Sequence, residues 1–594
     1  MIDIHSSLNK FSEWVINCSG KEIEEGRTYF ELLLQAWGWK NTHEASAKFE
    51  KPIKKSSPKS KTGRSDYLIP EKVLWEMKSR GENLNEHYPQ LQRYWFNLTP
   101  KTKYAVLCNF DNIWIYDFNK QVDEPVDKIH ITELSRRKAC ISFLGKEELE
   151  PIFGNDKTEI TENQARSMGT LFKKLKKISS EGGDFTETEA QRFVLQCVYC
   201  MFAEDRRLLE NKEFSRALNF CRESGESTFN ILGGLFNEMN RPGITKGGRY
   251  KGTKYFNGGL FNEIQNIHLP EDCLQVLIES SKEDWNNIRP SIFGNIFEAS
   301  SRIEERHKYG QYFTSEVDIL KVVRPTIIEP FEERVDEAKN ISDLENLLHE
   351  LRQITICDPA CGSGNFLYVA YNSLKDLELQ IIRKIKDRRQ NEYLKDQFEM
   401  GYLTTNQFYG IDQNPLAVEL AKVTLSIATK VARDRLELTE RELPLDNLDK
   451  NITQCDALFN DLPNCDFYIG NPPFLGAKRL RQELGDEYTE RLFRHYPEAP
   501  NFADICCYWF RNVHEKLKVG RRAGLVGTNM IRRGSNRKAS LDFITNNGGT
   551  IFNAISTQVW PGEAIVHVSI VNWIKGDIEK KILDGKKVSN INTT

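Results

Sequence analysis

The run Ile354-Thr-Ile-Cys-Asp-Pro-Ala-Cys-Gly-Ser-Gly-Asn365 restricts this chain more than any other stretch. An apolar, partly β-branched run leads to an acid, then to a turn holding Gly362 and Gly364. The residues after it, FLYVAYNSLKDLELQ, have a helical period. Glycines in such a turn let the backbone bend sharply and bring its amides close to a ligand at the carboxyl end of a strand. Three further apolar runs, QFYGIDQ (407–413), DFYIGNPPF (466–474) and AGLVGTN (523–529), alternate with long helical segments. That alternation predicts a parallel sheet flanked by helices, an α/β domain of Rossmann-like type starting near residue 286.

The acids at the ends of these runs indicate what the sheet holds. A dinucleotide site shows GxGxxG with a pyrophosphate at the helix start, whereas here Asp358 comes first, at the strand end. A carboxylate there suits a cation, and the methionine end of S-adenosylmethionine is one. Asp412, closing QFYGID, is placed to take two ribose hydroxyls. It lies 54 residues past Asp358, against the ~20 of compact folds, so the charged helical stretch around 380–405 reads as an insertion. Asp456 in QCDALF follows a third strand-like run and is the candidate for the adenine amine of the same cofactor.

Asn471-Pro472-Pro473-Phe474 supplies a second chemistry. An exocyclic base amine is a poor nucleophile because its lone pair is delocalised into the ring. Two acceptors binding its two hydrogens localise that lone pair. The Asn471 side-chain oxygen is one, and the Pro472 carbonyl, held outward by the rigid Pro-Pro turn, is the other. Phe474 offers a flat face for a base that has left its duplex. No thiol is needed, so Cys506-Cys507 reads as structural.

The rest of the chain divides by pattern. Residues 1–155 mix a helix (Thr28 to Trp37) with the β-rich runs VLWEMK (73–78), YAVLCN (104–109) and NIWIYDF (112–118). Residues 156–285 have a mostly helical pattern and read as a spacer. Lys51–Arg64 is rich in Lys, Ser and Pro and reads as a mobile loop. Cys197-x-x-Cys200 is the only CxxC pair, too few ligands to close a zinc site, and reads as helix packing. Lys plus Arg (82) nearly balances Asp plus Glu (85), so any nucleic-acid contact must come from local basic patches. No run approaches the ~20 apolar residues of a membrane helix. The odd number of cysteines, thirteen, reads as reduced thiols in a cytoplasmic protein. In the first unit Asp66, Glu76 and Lys78 form a D…ExK pattern, and residues 76 and 78 share one face of a strand. Asp66 and Glu76 are candidate Mg²⁺ ligands, and Lys78 is placed to stabilise charge on a phosphate. Gln90-x-x-x-Tyr94 is a candidate accessory motif, and Glu31, on the first helix, is a candidate for a further metal-side carboxylate.

Gly310-Gln-Tyr-Phe-Thr314, DPACGSGNF and NPPF, in that chain order, resemble the DNA amino-methyltransferases that act on adenine and carry their recognition domain C-terminally. The whole chain resembles restriction–modification proteins of the MmeI type. MFAEDRR (201–207) and FNGGLF (256–261) are similar to their spacer elements, and NFADICCYWF (501–510) is similar to a later part of their catalytic domain. The resemblance implies a PD-(D/E)xK nuclease over 1–155, a helical spacer over 156–285 and a class I methyltransferase over 286–594. It implies Tyr312, Phe313 and Thr314 on the methionine side of the cofactor. Asp358, Pro359, Ala360, Gly362, Gly364 and Asn365 would form the donor loop. Double-stranded DNA is the implied partner. In the family the recognition domain begins after VNWIKG (571–576), so recognition is expected from residues outside this sequence or from a separately encoded subunit. Four functional readings follow: methylation of DNA adenine with Mg²⁺-dependent cleavage; methylation with a silent nuclease; a non-catalytic DNA- or cofactor-binding subunit; and methylation of RNA or of a protein glutamine amide.

Overall fold

The computed structural model describes residues 3–53, 63–146, 149–154, 157–256, 259–289, 292, 294, 314–388, 403–436, 448–560 and 566–593. The chain forms two compact units, Met1–Glu159 and Ile160–Thr594. Among the described residues no helix is long and apolar enough to cross a membrane.

The first unit is built on a six-stranded sheet in the order β1-β2-β3-β4-β5-β6. Its strands are β1 (Lys48–Ile53), β2 (Gly63–Ile69), β3 (Val73–Met77), β4 (Tyr104–Cys108), β5 (Asn112–Tyr116) and β6 (Asp127–His130). Only β3 and β4 run parallel, and the helix Leu84–Asn97 makes the crossover between them, as parallel neighbours require. β3 is buried at every position, which explains why VLWEM does not alternate. The predicted helix begins six residues earlier than its apolar pattern, at Glu22–Ala36. Three acids in its first turn favour that start through the helix dipole. Glu25 also accepts from Ser19 N (3.1 Å), Ser19 Oγ (2.8 Å) and Gly20 N (2.7 Å). The Lys-rich stretch is strand at both ends, within β1 and β2, and its middle lies outside the described residues.

In the second unit, helices Lys157–Ser180, Glu187–Asp205, Glu213–Ser224 and Glu271–Ser280 bury a core with Cys197 and Cys200 inside it. Cys200 Sγ lies 3.6 Å from Met239 Sδ, and all thirteen cysteines are free thiols. Leu416, Leu420, Val423, Ile427 and Val431 belong to the same core. They lie on the helix Pro415–Leu436, which also packs on the large sheet. The helix Pro415–Leu436 therefore joins the core of these helices to the large sheet.

That sheet has nine strands: β7 (Ile356–Asp358), β8 (Phe408–Asp412), β9 (Ile452–Gln454), β10 (Phe467–Gly470), β11 (Arg522–Thr528), β12 (Gly549–Trp560), β13 (Val566–Lys575), β14 (Lys581–Leu583) and β15 (Lys586–Val588). Their order is β9-β8-β7-β10-β11-β13-β12-β14-β15. β9, β8, β7, β10 and β11 are parallel, and β13 enters antiparallel beside β11. β7 keeps Ile356–Asp358 of the predicted strand ITICD; Thr355 before it donates its N–H to Asp466 Oδ2 (3.0 Å) instead. The helix Asn365–Arg388 carries the chain away from β7. After residues 389–402, which lie outside the described residues, Leu403 N donates to Glu378 Oε1 (2.9 Å) and ties the returning chain to that helix.

Helices cover both faces of the sheet. On β13, Asn572 accepts from Thr326 Oγ1 (3.0 Å), just beyond the helix Glu316–Val323. Its neighbour Trp573 points the other way and stacks on Phe510 of the helix Cys506–Lys516, ring centroids 5.5 Å apart. Trp573 Nε1 donates to His514 Nδ1 (3.2 Å), so the ring proton sits on Nε2, which donates to the Asn547 carbonyl (3.1 Å). Burial lowers the His514 pKa to about 4, opposed by the Asn547 carbonyl. A depressed histidine contributes stability above its unfolded value near 6.5 and loses it as pH falls through the folded one. Unfolding stability should thus drop by about 2 kcal/mol more between pH 6.5 and 4 in the native chain than in His514→Gln, allowing for partial screening. Urea titrations of both proteins across that range check this, and parallel profiles would refute it.

Candidate active sites

β7 delivers Asp358 to the carboxyl edge of the large sheet. Asp358 is 1 % exposed. Its Oδ1 accepts from Ala360 N (3.0 Å), and its Oδ2 is buried with no hydrogen-bond partner. Burial raises its pKa to about 8, opposed by the Ala360 N–H and reinforced by Asp412. An uncompensated acid of this kind is stabilised by a cation. Gly364, at φ +86°, has room only for hydrogen, since a Cβ there would meet the Ala421 backbone at 2.9 Å. That close approach seats the turn on the helix Pro415–Leu436. Trp509 Nε1 donates to the Pro359 carbonyl (3.1 Å) and pins the turn from the other side. Asn365, half-buried, opens the helix that follows.

Asp412 closes β8 as predicted. Its Oδ2 accepts from Gly362 N (3.0 Å) and its Oδ1 from Asn414 N (2.8 Å). Burial raises it too, opposed by the N–H groups of Asn414 and Gly362. Asp456 follows β9, with Oδ1 accepting from Leu458 N (2.9 Å) and Oδ2 from the Tyr488 hydroxyl (2.8 Å). Three acids thus stand after three adjacent parallel strands, Asp412 bound to the donor turn itself. Cys361, inside that turn, is buried, and its thiol is held well above its ordinary value, so it is not a nucleophile.

β10, next to β7, delivers Asn471. A Cβ on Gly470 would fall 2.5 Å from Asp358 Oδ1, so the two strand ends sit in direct contact. Asn471 Nδ2 donates to Thr314 Oγ1 (3.1 Å), while its Oδ1 is buried with no partner. Pro472 is buried, Pro473 and Phe474 are half-buried, and Phe474 rests against the core. Of the upstream motif only Thr314 is described; Tyr312 and Phe313 lie outside the described residues. Cys506 and Cys507 are buried in the core.

In the first unit Asp66 lies on β2, Glu76 on β3 and Lys78 just beyond it. Asp66 Oδ2 accepts from Met77 N (2.7 Å). Glu76 Oε1 accepts from Lys78 Nζ (3.0 Å) and Gln90 Nε2 (2.7 Å), and Gln90 Nε2 also donates to the Tyr94 hydroxyl (3.2 Å). Glu76 Oε2 is buried without a partner. Burial, then Asp66, raises Glu76 to about 8, opposed by Lys78. Burial pulls Lys78 down, but Glu76, Asp66 and Glu22 outweigh it and hold the ammonium above its usual value. The helix acid that senses this cluster is Glu22, while Glu31 pairs with Arg27 (3.0 Å). Among the described residues no group of three or more His, Cys, Asp or Glu converges as a complete metal-ligand set.

Three models of one family match successive parts of this chain: the MmeI N-terminal domain over residues 6–178, the MmeI helicase spacer domain over 188–261 and the MmeI DNA-methyltransferase domain over 332–584. The chain belongs to the MmeI family. A solved structure of the type IIL restriction-modification enzyme MmeI in complex with DNA is 24 % identical with a TM-score of 0.62, over 73 % of this chain and 61 % of that one. DNA methyltransferase A of Bacillus subtilis is 25 % identical over 65 % of this chain and 45 % of its own length. The type II restriction enzyme and methyltransferase RM.Eco57I of Escherichia coli is 22 % identical over 84 % of this chain and 54 % of its own. This MmeI-family chain therefore spans about half the length of these two relatives.

Within this member of the MmeI family, sequence reasoning missed Glu22, Trp509 and Asp504. Asp504 Oδ1 accepts from Ala477 N (3.2 Å) and its Oδ2 from Thr528 Oγ1 (3.0 Å), linking the segments after β10 and β11. Its signal was present in NFADICCYWF, but nothing in a linear pattern says which distant loop an acid will bind.

Proposed function

We propose that this chain transfers a methyl group from S-adenosylmethionine to the exocyclic amine of adenine in DNA, and that its N-terminal unit is an Mg²⁺-dependent endonuclease. One observation carries the first part: at two adjoining strand ends stand two buried acceptor atoms with no partner, Asp358 Oδ2 and Asn471 Oδ1. The first fits a cationic donor and the second an amine hydrogen. S-adenosylmethionine supplies an electrophilic sulfonium methyl when bound. Asp358, Pro359, Ala360, Gly362, Gly364 and Asn365 hold its methionine end, helped by Thr314. Asp412 takes its ribose and Asp456 its adenine. Asn471 Oδ1 and the Pro472 carbonyl accept the two amine hydrogens and localise the lone pair on nitrogen, and Phe474 stacks on the base. Catalysis comes from positioning and from fixed dipoles.

The DNA substrate and adenine specificity rest on family membership and on the motif order GQYFT, DPACGSGNF, NPPF. The test incubates the whole chain with unmethylated bacterial DNA and S-adenosylmethionine, then digests the DNA and separates its nucleosides by mass spectrometry. N6-methyldeoxyadenosine is the expected product. N4-methyldeoxycytidine alone would overturn adenine specificity, and methylated protein or RNA without methylated DNA would overturn the substrate class.

For the N-terminal unit, the partnerless Glu76 Oε2 beside Asp66 fits one side of a divalent cation, which needs only one or two protein carboxylates alongside waters and substrate phosphates. Lys78 then orients water or offsets charge on the scissile phosphate, while Gln90 fixes Glu76.

A further inference from the structure

Phe502 is 76 % exposed, although the residues around it are firmly held. Ile505 N donates to the Leu475 carbonyl (2.9 Å), and Asp504 Oδ1 accepts from Ala477 N (3.2 Å), so the segment with Phe502 runs beside the loop that starts at Asn471. Asp504 Oδ2 draws in Thr528 at the end of β11, and Asp504 N donates to Asn536 Oδ1 (2.7 Å). Two residues beyond Thr528, Met530 is 45 % exposed. Two large apolar side chains are therefore left in solvent on segments tied together at the rim of the Asn471 site. Lys478 adjoins Ala477, and Arg533 donates its backbone N–H to the Met530 carbonyl (2.9 Å). Both are exposed, and among the described residues neither has an ion-pair partner.

Exposed apolar groups flanked by unpaired cations are complementary to a polyanion with an apolar interior, a nucleic-acid duplex opened at one base pair. We propose that Phe502, with Met530 on the same rim, enters the base stack at the position vacated when the target base turns into the Asn471 pocket, while Lys478 and Arg533 hold the flanking phosphates. This rests on the amine-transfer reading above. Stacking of an aromatic side chain on a base holds the duplex open at that step, and Phe502 is then a positioning residue that never touches the transferred methyl.

The test uses the full chain, tritiated S-adenosylmethionine and one unmethylated bacterial DNA, offered as duplex and, after denaturation, as single strands. In Phe502→Ala the ratio of duplex to single-strand transfer should fall at least about tenfold, the order expected for one lost base stack. In Phe502→Trp, which keeps a flat apolar face, the ratio should stay within about threefold of the native value. An unchanged ratio in Phe502→Ala overturns the inference, whatever the absolute rates. So does a native dimer that this variant converts to monomer, which would assign the patch to a second copy of the chain. No transfer to either DNA by the native chain overturns the parent reading instead.

Discussion

Replacing Asn471 with alanine should reduce methyl transfer to DNA by about 10³-fold while leaving S-adenosylmethionine affinity within about threefold, because a fixed dipole aimed at the reacting group acts mainly in the transition state. The split follows from the geometry. Asn471 Oδ1 faces the site with no partner, whereas the donor cradle is anchored elsewhere, by Ala360 N on Asp358, Gly362 N on Asp412 and Trp509 on Pro359. Turnover by tritium transfer and affinity by calorimetry separate the two. Near-normal turnover would remove Asn471 from the chemistry. Loss of donor binding in step with turnover would reduce it to a prop for Thr314, which accepts from its Nδ2 at 3.1 Å.

Lys78→Ala should abolish Mg²⁺-dependent cleavage of unmethylated DNA, a loss of at least about 10³-fold, with methyl transfer within about twofold of native. The ammonium is buried and pairs with Glu76 (3.0 Å), and Glu76, Asp66 and Glu22 hold its pKa up. Removing it leaves Glu76 with Gln90 alone on Oε1. Lys78→Gln and a thermal unfolding scan separate a lost charge from a lost fold. Agarose-gel cleavage that survives both substitutions would show that Lys78 is not part of a nuclease. If the native chain transfers methyl groups but never cuts, the silent-nuclease reading stands.

The strand ends that carry Asp358 and Asn471 could be placed from the chain because each belongs to a short contiguous string. Asp358 with its glycine turn and Asn471 with its prolines carry their geometry in residue type and order. What joins the strings could not be read this way. That β10 lies next to β7, so that Gly470 abuts Asp358, is a property of strand order, and the apolar runs are alike in composition. The strand ITICD starts two residues late because apolar content does not mark where ladder pairing begins. Glu22 went unread for a similar reason. The apolar period marks the middle of a helix, while its first turn is set by capping and dipole, and the acid that reaches the Lys78 cluster stands on that first turn. The helix Pro415–Leu436 was readable as a helix, but not as a helix with one side in the sheet and the other in the spacer.

That shared helix bears on how such chains can be recombined. Gly259, in the spacer motif FNGGLF, sits so tightly on Glu419 that any side chain at 259 would collide with its carboxylate. Leu416, Leu420, Val423 and Ile427 take their cover from spacer residues. A chimera that exchanges 160–285 alone would have to rebuild half of an apolar interface against a foreign surface. One that exchanges everything before Lys157 leaves that interface whole. The natural seam for grafting lies ahead of the spacer, and a donor loop moved into another scaffold has to bring its spacer with it.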